Sequence, residues 1–339
     1  MSATKQIGEK GAGANRPAWT RNFGQRFALV FVWAILIVGF SLARPETFFT
    51  TGNFQTIFGS QAVLLILAMG LIIPLTTGDF DLSVAANLTF AAMLVAIFQV
   101  DHGWALLPTI VLALAATTLI GLINGLIVVK VGIDSFIVTL GSGTILQGLV
   151  LWISDARTIT GVSDVLINWT VTNRILGISM VFWYGLVLTV ILWYVFSRTA
   201  LGKRLLFVGR GRNVALLSGI NVDRVRIGAL TASGLMAGLA GVAYAGMLGT
   251  ADPTSGLSFL LPAFAAAYLG ATTVQPGRFN PWGTFIAVFF LVSGITGLQL
   301  LGADSFVQQL FYGGALIIAV VMSELVRRRN ERRRMAVGS

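Results

Sequence analysis

Ten long runs of apolar residues, separated by short polar breaks, dominate the sequence. Most of them are about 17 to 25 residues long, the length that a helix needs to cross a hydrocarbon layer of about 30 Å. The eighth run is short and contains Pro262, which indicates a broken helix or one that begins earlier. We therefore predict an all-α integral membrane protein of about ten transmembrane helices, at 27–42, 57–75, 82–100, 104–129, 136–153, 178–196, 225–248, 259–272, 282–301 and 306–325.

Composition supports this fold class and excludes several others. Of the 339 residues 56% are hydrophobic, and the mean hydropathy is +0.85, more apolar surface than a soluble domain buries. Cysteine is absent and His102 is the single histidine, so thiol chemistry is excluded and a zinc or triad enzyme is not expected. We expect no cofactor and no metal.

The 23 basic residues predict the orientation of the chain, because Lys and Arg accumulate on the cytoplasmic side of membrane proteins. Ten spans that begin inside leave only Arg44, Arg157 and Arg174 outside. Both termini are then cytoplasmic, and the net charge of +10 reflects topology, not nucleic-acid binding. The predicted regions are a flexible tail at 1–26, a transmembrane domain at 27–325 with a cytoplasmic loop at 197–227, and a basic tail at 326–339.

The segment "TTGDFDLSV" at 76–84 places two carboxylates, Asp79 and Asp81, between two long apolar runs. Gly78 ends one helix, and Asp81 and Ser83 stand where the next begins. A carboxylate or hydroxyl at that position can cap free N–H groups at the helix start. The alternative is a proton or cation site, because acids at membrane depth are usually functional.

Two polar connections are long enough to bind other molecules. In the loop at 197–227, a short amphipathic helix is predicted at 213–220; a helix this short needs a surface, either lipid headgroups or a protein partner. On the outer side, the segment 154–177 combines charged residues with Trp169, which suits an interfacial anchor or a docking surface.

Uncharged polar side chains inside the spans allow two interpretations. Amides and hydroxyls at lipid depth either bond between helices or line a wet path. Since no predicted span carries an acid or base at its centre, the set favours a path for a neutral, hydroxyl-rich solute over one for an ion. The path residues that we select are Asn87, Thr118, Asn124, Gln147 and Gln299.

Two further patterns concern packing and nucleotide binding. Small residues at four-residue spacing in "GLING" at 121–125 and "GLMAGLAG" at 234–241 favour close helix packing over a ligand role. The segment "ALGKR" at 200–204 lacks the first glycine and the hydroxyl of a P-loop. We therefore expect any ATP hydrolysis to reside in a separate subunit.

Four segments in series resemble the permease subunits of bacterial ABC importers for monosaccharides of the ribose, xylose, arabinose and galactose type. "GDFDLSV" is similar to the family's G-G-x-D-L-S-V-G, and "INGLIVVKVGIDSFIVTLGSGTILQGLVL" to its N-G-…-P-F-I-V-T-L-…-G. "GRNVALLSGINVDRVRI" resembles N-x-x-A-x-x-S-G-I-N-V, and "LGATTVQPGRFNPWGT" resembles the L-G-G-T-…-G-G-x-G-…-G-T turn. The sequence departs from the family where Asp79 replaces a glycine, where Ser135 replaces a frequent proline, and in the proline-rich "VQPGRFNPWGT".

The resemblance implies a transport subunit of the bacterial cytoplasmic membrane and selects the protein-partner interpretation of the short helix. By position, the helix that contacts the ATPase would comprise Asn213, Ala215, Leu217, Ser218, Gly219, Ile220 and Asn221. The resemblance also implies a second permease copy, a cytoplasmic ATP-binding subunit and an extracytoplasmic sugar-binding protein, for which 154–177 is the expected dock. Gly78, Asp81 and Ser83 would form a structural turn. An ion-gradient-driven transporter remains the alternative, and an intramembrane enzyme lacks paired catalytic groups.

Overall fold

A computed structural model describes residues 26–335 and shows an almost entirely helical protein, as predicted. Four two-residue strands are the exception, and they form two small antiparallel pairs. The helices in chain order are α1 (Ala28–Ala43), α2 (Thr51–Ser60), α3 (Ala62–Thr77), α4 (Val84–Ala96), α5 (Leu106–Leu126), α6 (Ser135–Ile153), α7 (Asp164–Ile167), α8 (Met180–Arg198), α9 (Ala200–Arg210), α10 (Arg212–Leu217), α11 (Val222–Leu248), α12 (Leu260–Gly270), α13 (Pro281–Leu300) and α14 (Ser305–Met335).

Seven helices in the described part of the chain are long and apolar enough to cross a membrane. They are Val84–Asp101, Leu106–Val131, Ser135–Ile153, Met180–Arg198, Val222–Leu248, Pro281–Leu300 and Ser305–Leu325. The pair α2 and α3, bent by 42° at Gln61, provides an eighth if it is one span. Two shorter apolar helices, α1 and Ser255–Gly270, match the remaining predicted runs.

The helices form an inner and an outer group. All sixteen residues of α3 are buried, and in α4 and α11 the most apolar stretch is 78% and 67% buried. In α5, α6 and α14 the corresponding values are 22%, 17% and 11%. Apolar side chains that face outward from a helical protein of this composition require a lipid or protein neighbour, so the outer helices are those that meet the membrane or another subunit.

Close contact between α5 and α11 depends on glycine. A Cβ atom added at Gly121 would stand 2.5 Å from the Leu230 carbonyl oxygen, and one at Gly234 would meet the Thr117 carbonyl oxygen. The two backbones therefore approach more closely than any side chain allows. Helices in lipid associate through such small-residue faces, which confirms the predicted packing role of "GLING" and "GLMAGLAG".

The segment 154–177 is more ordered than a plain connection. Its strand β1 (Ile159–Thr160) pairs with β4 (Thr250–Ala251), at the end of α11. Its strand β2 (Arg174–Ile175) pairs with β3 (Ile178–Ser179), directly before α8. Two ends of the segment are thus fixed to the helical core.

The structure describes most of the predicted C-terminal tail at 326–339 but almost none of the predicted N-terminal tail at 1–26. Residues 1–25 of the predicted N-terminal tail lie outside the described residues. At the other end, α14 continues through Met335, so most of the predicted basic tail at 326–339 extends the last helix.

Candidate functional site

The site is built on the turn at residues 78–83, where α3 ends and α4 is about to begin. Gly78 has φ +81°, a left-handed conformation that suits glycine. The Gly78 and Asp79 amides donate to the Leu75 and Pro74 carbonyl oxygens at 3.1 and 3.0 Å. This paired bonding ends α3 and turns the chain.

Two hydroxyls of α6 hold the next part of the turn. The Phe80 amide donates to Ser135 Oγ at 2.9 Å, and the Leu82 amide donates to Thr139 Oγ1 at 3.0 Å. Each bond satisfies a backbone donor that the break in the helix left without an intrahelical partner. Ser135, a departure from the family pattern, therefore has a definite role that a proline could not perform.

Asp79 carries the strongest interaction of the site. Its side chain is 1% exposed, yet four donors surround the carboxylate. Arg226 is bidentate, with Nε at 2.9 Å from Oδ2 and Nη2 at 2.6 Å from Oδ1. Arg212 Nη2 donates to Oδ1 at 2.9 Å, and Thr77 Oγ1 donates to Oδ2 at 3.0 Å. Charge-assisted, bidentate bonding of this kind is among the strongest hydrogen bonding available to side chains.

The sequence analysis identified Asp79 only as a carboxylate between two apolar runs and a departure from the family's glycine, and it missed this ion cluster. The signal was present, because a carboxylate between two apolar runs needs a cation if it is buried. The predicted topology had already put residue 79, Arg212 and Arg226 on the same side of the membrane. What the sequence lacked was any indication of which of the many basic residues of that loop would reach the turn.

Asp81 lies two residues further and has a different environment. It is fully buried, and its Oδ1 accepts from the Ser83 amide at 3.0 Å and from the Ser83 hydroxyl at 2.6 Å. Its Oδ2 has no hydrogen-bond partner within the described residues. Asp81 therefore accepts a free amide at the start of α4, as the cap prediction expected, whereas Ser83, at the N-cap position, makes no side-chain capping bond.

A polar cluster, defined as Asp81, Ser83, Asn87, Asn124 and Ser233, joins the turn to three helices. Ser83 Oγ accepts from Asn124 Nδ2 of α5 at 3.1 Å and from Asn87 Nδ2 of α4 at 3.4 Å. Ser233 of α11 is near the Asp81 carboxyl. All five side chains are buried, and among them Asn87 Oδ1 and Ser233 Oγ have no hydrogen-bond partner in the described part of the chain.

The electrostatics of the two acids therefore differ. Asp79 is compensated by two guanidinium groups. For Asp81, burial raises the pKa of the carboxyl above its ordinary value, and hydrogen bonds from Ser83 oppose that rise only in part. The protonated form of Asp81 can donate from its otherwise unpaired oxygen, which the charged form cannot.

The predicted short helix exists as α10, with bounds shifted to Arg212–Leu217. It ends in a Schellman turn, where the Gly219 and Ile220 amides donate to Leu216 and Ala215 carbonyl oxygens and Gly219 has φ +79°. Ala215 is buried. Of the other residues named for the coupling contact, Asn213 lies within α10 and Ser218 is its C-cap. Asn221 instead caps α11, because its side chain accepts from the Arg224 amide.

Helix α9 was not predicted, although its amphipathic sequence offered a signal. Thr199 caps it by accepting from the Gly202 amide at 3.3 Å. Its last turn lies against the end of α3, because a Cβ atom at Gly209 would meet the Thr76 carbonyl oxygen. Together α9 and α10 form the surface next to the turn.

The structure brings two of the five predicted path residues together. Asn87 and Asn124 share the polar cluster. Thr118 borders an open surface groove between α5 and α11. Gln147 is half-buried on α6, and Gln299, at the opposite end of α13, is 3.4 Å from Gln308. A path through all five within one chain is not formed.

Comparison with known proteins identifies the family. A family model described as the permease component of the branched-chain amino acid transport system matches residues 53–320. The chain belongs to this permease family. It is a transport component and a multi-pass protein of the bacterial inner membrane.

Curated relatives cover nearly the whole chain. The D-allose transport system permease protein of Escherichia coli K12 is 31% identical over 90% of this chain and 93% of its own length. The ribose import permease protein of Bacillus subtilis is 34% identical over 85% of this chain and 89% of its own length. The L-arabinose ABC transporter permease protein of Azospirillum brasilense is 29% identical over 92% of this chain and 91% of its own length. The resemblance to monosaccharide importer permeases is thereby confirmed. No solved structure matches the chain.

The Asp81 environment makes a prediction about pH. Between pH 3.8, where the carboxyl of an unfolded chain titrates, and the raised pKa of the folded group, the folded state binds more protons. Stability should therefore fall as pH rises through this window. In Asp81→Asn that contribution to the pH dependence should disappear, as measured by the melting temperature of the detergent-solubilised protein across a pH series.

Asp252→Asn is the matched control. Hydrogen bonds from Thr254 and Thr158 hold the pKa of Asp252 below its ordinary value, so its titration affects stability only at lower pH. This variant should keep the wild-type slope above pH 3.8. Identical slopes for wild type and Asp81→Asn would contradict the assignment of a raised pKa to Asp81.

Proposed function

We propose that the chain is the membrane-spanning subunit of an ATP-driven importer and that its substrate is a neutral monosaccharide or a related polyol. The observation that carries this proposal is α10, a short exposed helix bonded through Arg212 to the buried carboxylate of Asp79 in the turn at 78–83. Family membership supports the importer class, and the sugars that the named relatives transport support the sugar class. ATP hydrolysis would occur in a separate cytoplasmic subunit.

The surface of α10 supports a protein partner. Val214, Leu216 and Leu217 are 60%, 63% and 88% exposed, which is unusual for three apolar residues in a six-residue helix. Basic residues flank them at Arg204, Arg210 and Arg224. A groove on the ATP-binding subunit would cover the apolar residues, and residues 213–221 would form the coupling contact.

The proposed topology has ten crossings, with α1 and Ser255–Gly270 as the two shorter spans. The Val274 amide donates to the Arg26 carbonyl oxygen at 2.8 Å, which supports the start of α1 and the loop after α12 being on one side. That loop also contains Arg278, consistent with a cytoplasmic position. The chain starts and ends in the cytoplasm in this arrangement.

The sugar path would run beside the polar cluster and between two permease copies. Asn87 and Asn124 offer amides for weak contacts with hydroxyl groups. Selectivity would come from an extracytoplasmic sugar-binding protein that docks on 154–177, where Val165, Trp169 and Leu176 are 48%, 48% and 81% exposed. The mechanism would be alternating access by movement of helices around the path.

Asp81 favours a second candidate function. A buried carboxyl with an unpaired oxygen is the feature that a proton-coupled transporter uses. In that case an ion gradient, not ATP, would drive uptake. The two functions differ in the energy source, which a reconstituted system separates.

The experiment is labelled-sugar uptake by proteoliposomes that contain the permease, the binding protein and, in one arm, the ATP-binding subunit. We expect uptake only with the ATP-binding subunit and ATP, unaffected by an uncoupler, because the spans have no charged centre. A panel of pentoses and hexoses, each with its binding protein, would identify the substrate. Uptake that needs no ATP and collapses with the uncoupler would contradict the proposal and favour the proton-coupled alternative.

Replacing Gly219 tests the coupling helix. At φ +79° with no atom within 4 Å of an added Cβ, valine would fit sterically but strain the backbone by about 1–2 kcal/mol, shifting the end of α10. We expect Gly219→Val to insert normally and to lose most ATPase association, measured by co-purification.

Gly132→Val is its matched control. Gly132 has φ +83° and also has no atom within 4 Å of an added Cβ, so the local strain is alike, but it follows α5. Association should remain at the wild-type level in this variant. Equal loss in both, or normal association and sugar-stimulated ATP hydrolysis in Gly219→Val, would refute the assignment.

A further inference from the structure

We propose that Asp79 is a positioning residue that links α10 to the turn at 78–83, with Arg212 as the contact through which α10 pulls on the turn. Movement of α10 imposed by the ATP-binding subunit would then reach the polar cluster that borders the sugar path. This inference rests on the proposed function. It concerns a residue at which the chain departs from its family's glycine pattern.

The ion cluster joins three elements at one carboxylate. Arg212 is the first residue of α10, Arg226 lies near the start of α11, and Asp79 is the second residue after α3. The same turn is bonded to α6 through Ser135 and Thr139. Displacement of α10 must therefore either separate an arginine from a buried acid or carry the turn along.

The two arginines have unequal roles. Arg226 makes two bonds to Asp79 and its side chain is 14% exposed, so it provides the larger part of the compensation of the buried charge. Arg212 makes one bond to the carboxylate and is 45% exposed, and it also approaches the Gly78 carbonyl oxygen at 3.4 Å. Arg226 is thus the main cation for Asp79, and the single bond from Arg212 is what connects α10 to the carboxylate.

A displacement of the turn at 78–83 reaches the polar cluster through few intervening residues. Asp79 and Asp81 are separated by Phe80 alone, and Asp81 holds Ser83, to which both Asn87 and Asn124 donate. Phe80 also stacks on Phe264 of α12, with ring centroids 6.4 Å apart. A shift of the turn would thus alter α4, α5 and α12 together. Buried, close-packed contacts of this kind transmit displacement because they have few intermediate arrangements.

The test uses Arg212→Gln in the complete reconstituted importer, with uptake and ATP hydrolysis measured on the same proteoliposomes. The variant removes the link while Arg226 still neutralises Asp79, so the fold and the ATPase association should persist. We expect sugar uptake per ATP hydrolysed to fall roughly tenfold. A purely structural role would lower the melting temperature and leave that ratio unchanged.

Arg198→Gln is the matched control, since it removes the same charge from the same loop at the exposed end of α8, and Arg198 makes no bond to Asp79. Its ratio should equal that of wild type. An unchanged ratio in Arg212→Gln would overturn the proposal, as would a loss confined to ATPase association, which would make Arg212 a docking residue. Failure of wild-type uptake with ATP would instead reject the proposed function, so the two failures are distinguishable.

A double variant separates linkage from charge compensation. Asp79→Asn leaves Arg226 buried without its acid and should lower the melting temperature. Adding Arg226→Gln removes that unpaired charge and should recover stability, but not the ratio of uptake to hydrolysis, because the link stays broken. Recovery of both would show that Asp79 acts only through charge compensation and would overturn the proposal.

Discussion

A break between two helices leaves backbone amides without intrahelical partners, and this constraint shapes the turn that joins α3 to α4. Residues 78–83 meet it with bonds from outside the broken helix. Ser135 and Thr139 accept the Phe80 and Leu82 amides, and Gly78 ends α3 in a left-handed turn. Because its partners come from other helices, the turn cannot move alone.

The buried acid at position 79 adds a second constraint of the same kind. A carboxylate that is 1% exposed requires cationic partners, and the two that reach it belong to the exposed loop and the start of α11. These ion pairs connect α10, which is proposed to contact the ATP-binding subunit, to the turn at 78–83. That turn adjoins the polar cluster, which is proposed to border the sugar path. Asp81, which has no cationic partner among the described residues, retains a protonatable group in the same turn.

Most of the helices and the turn could be predicted from the sequence. The contacts between distant elements could not, for physical reasons. The lengths of the apolar runs predicted the helices to within a few residues, with two exceptions. One run is bent at Gln61, and α9 is an amphipathic helix that does not belong to any apolar run. The turn and the short helix were predicted from glycine and motif spacing. The Asp79 ion cluster and the meeting of Asn87 with Asn124 depend on contacts between elements distant in sequence, which periodicity does not encode. Gln147 and Gln299 were selected as path residues only because they are amides within apolar spans, and in the fold both lie outside the polar cluster.

The central claim is that α10 and the turn move as one body, and a distance measurement tests it most directly. The chain has no cysteine, so spin labels can be placed at introduced cysteines without background: at Leu217 on α10, at Phe80 in the turn, and at Ile317 on α14 as a reference. On ATP binding by the partner subunit, the account predicts an unchanged distance between the labels at 217 and 80, while both change their distance to 317. A change between 217 and 80, with the distance from 80 to 317 constant, would contradict it.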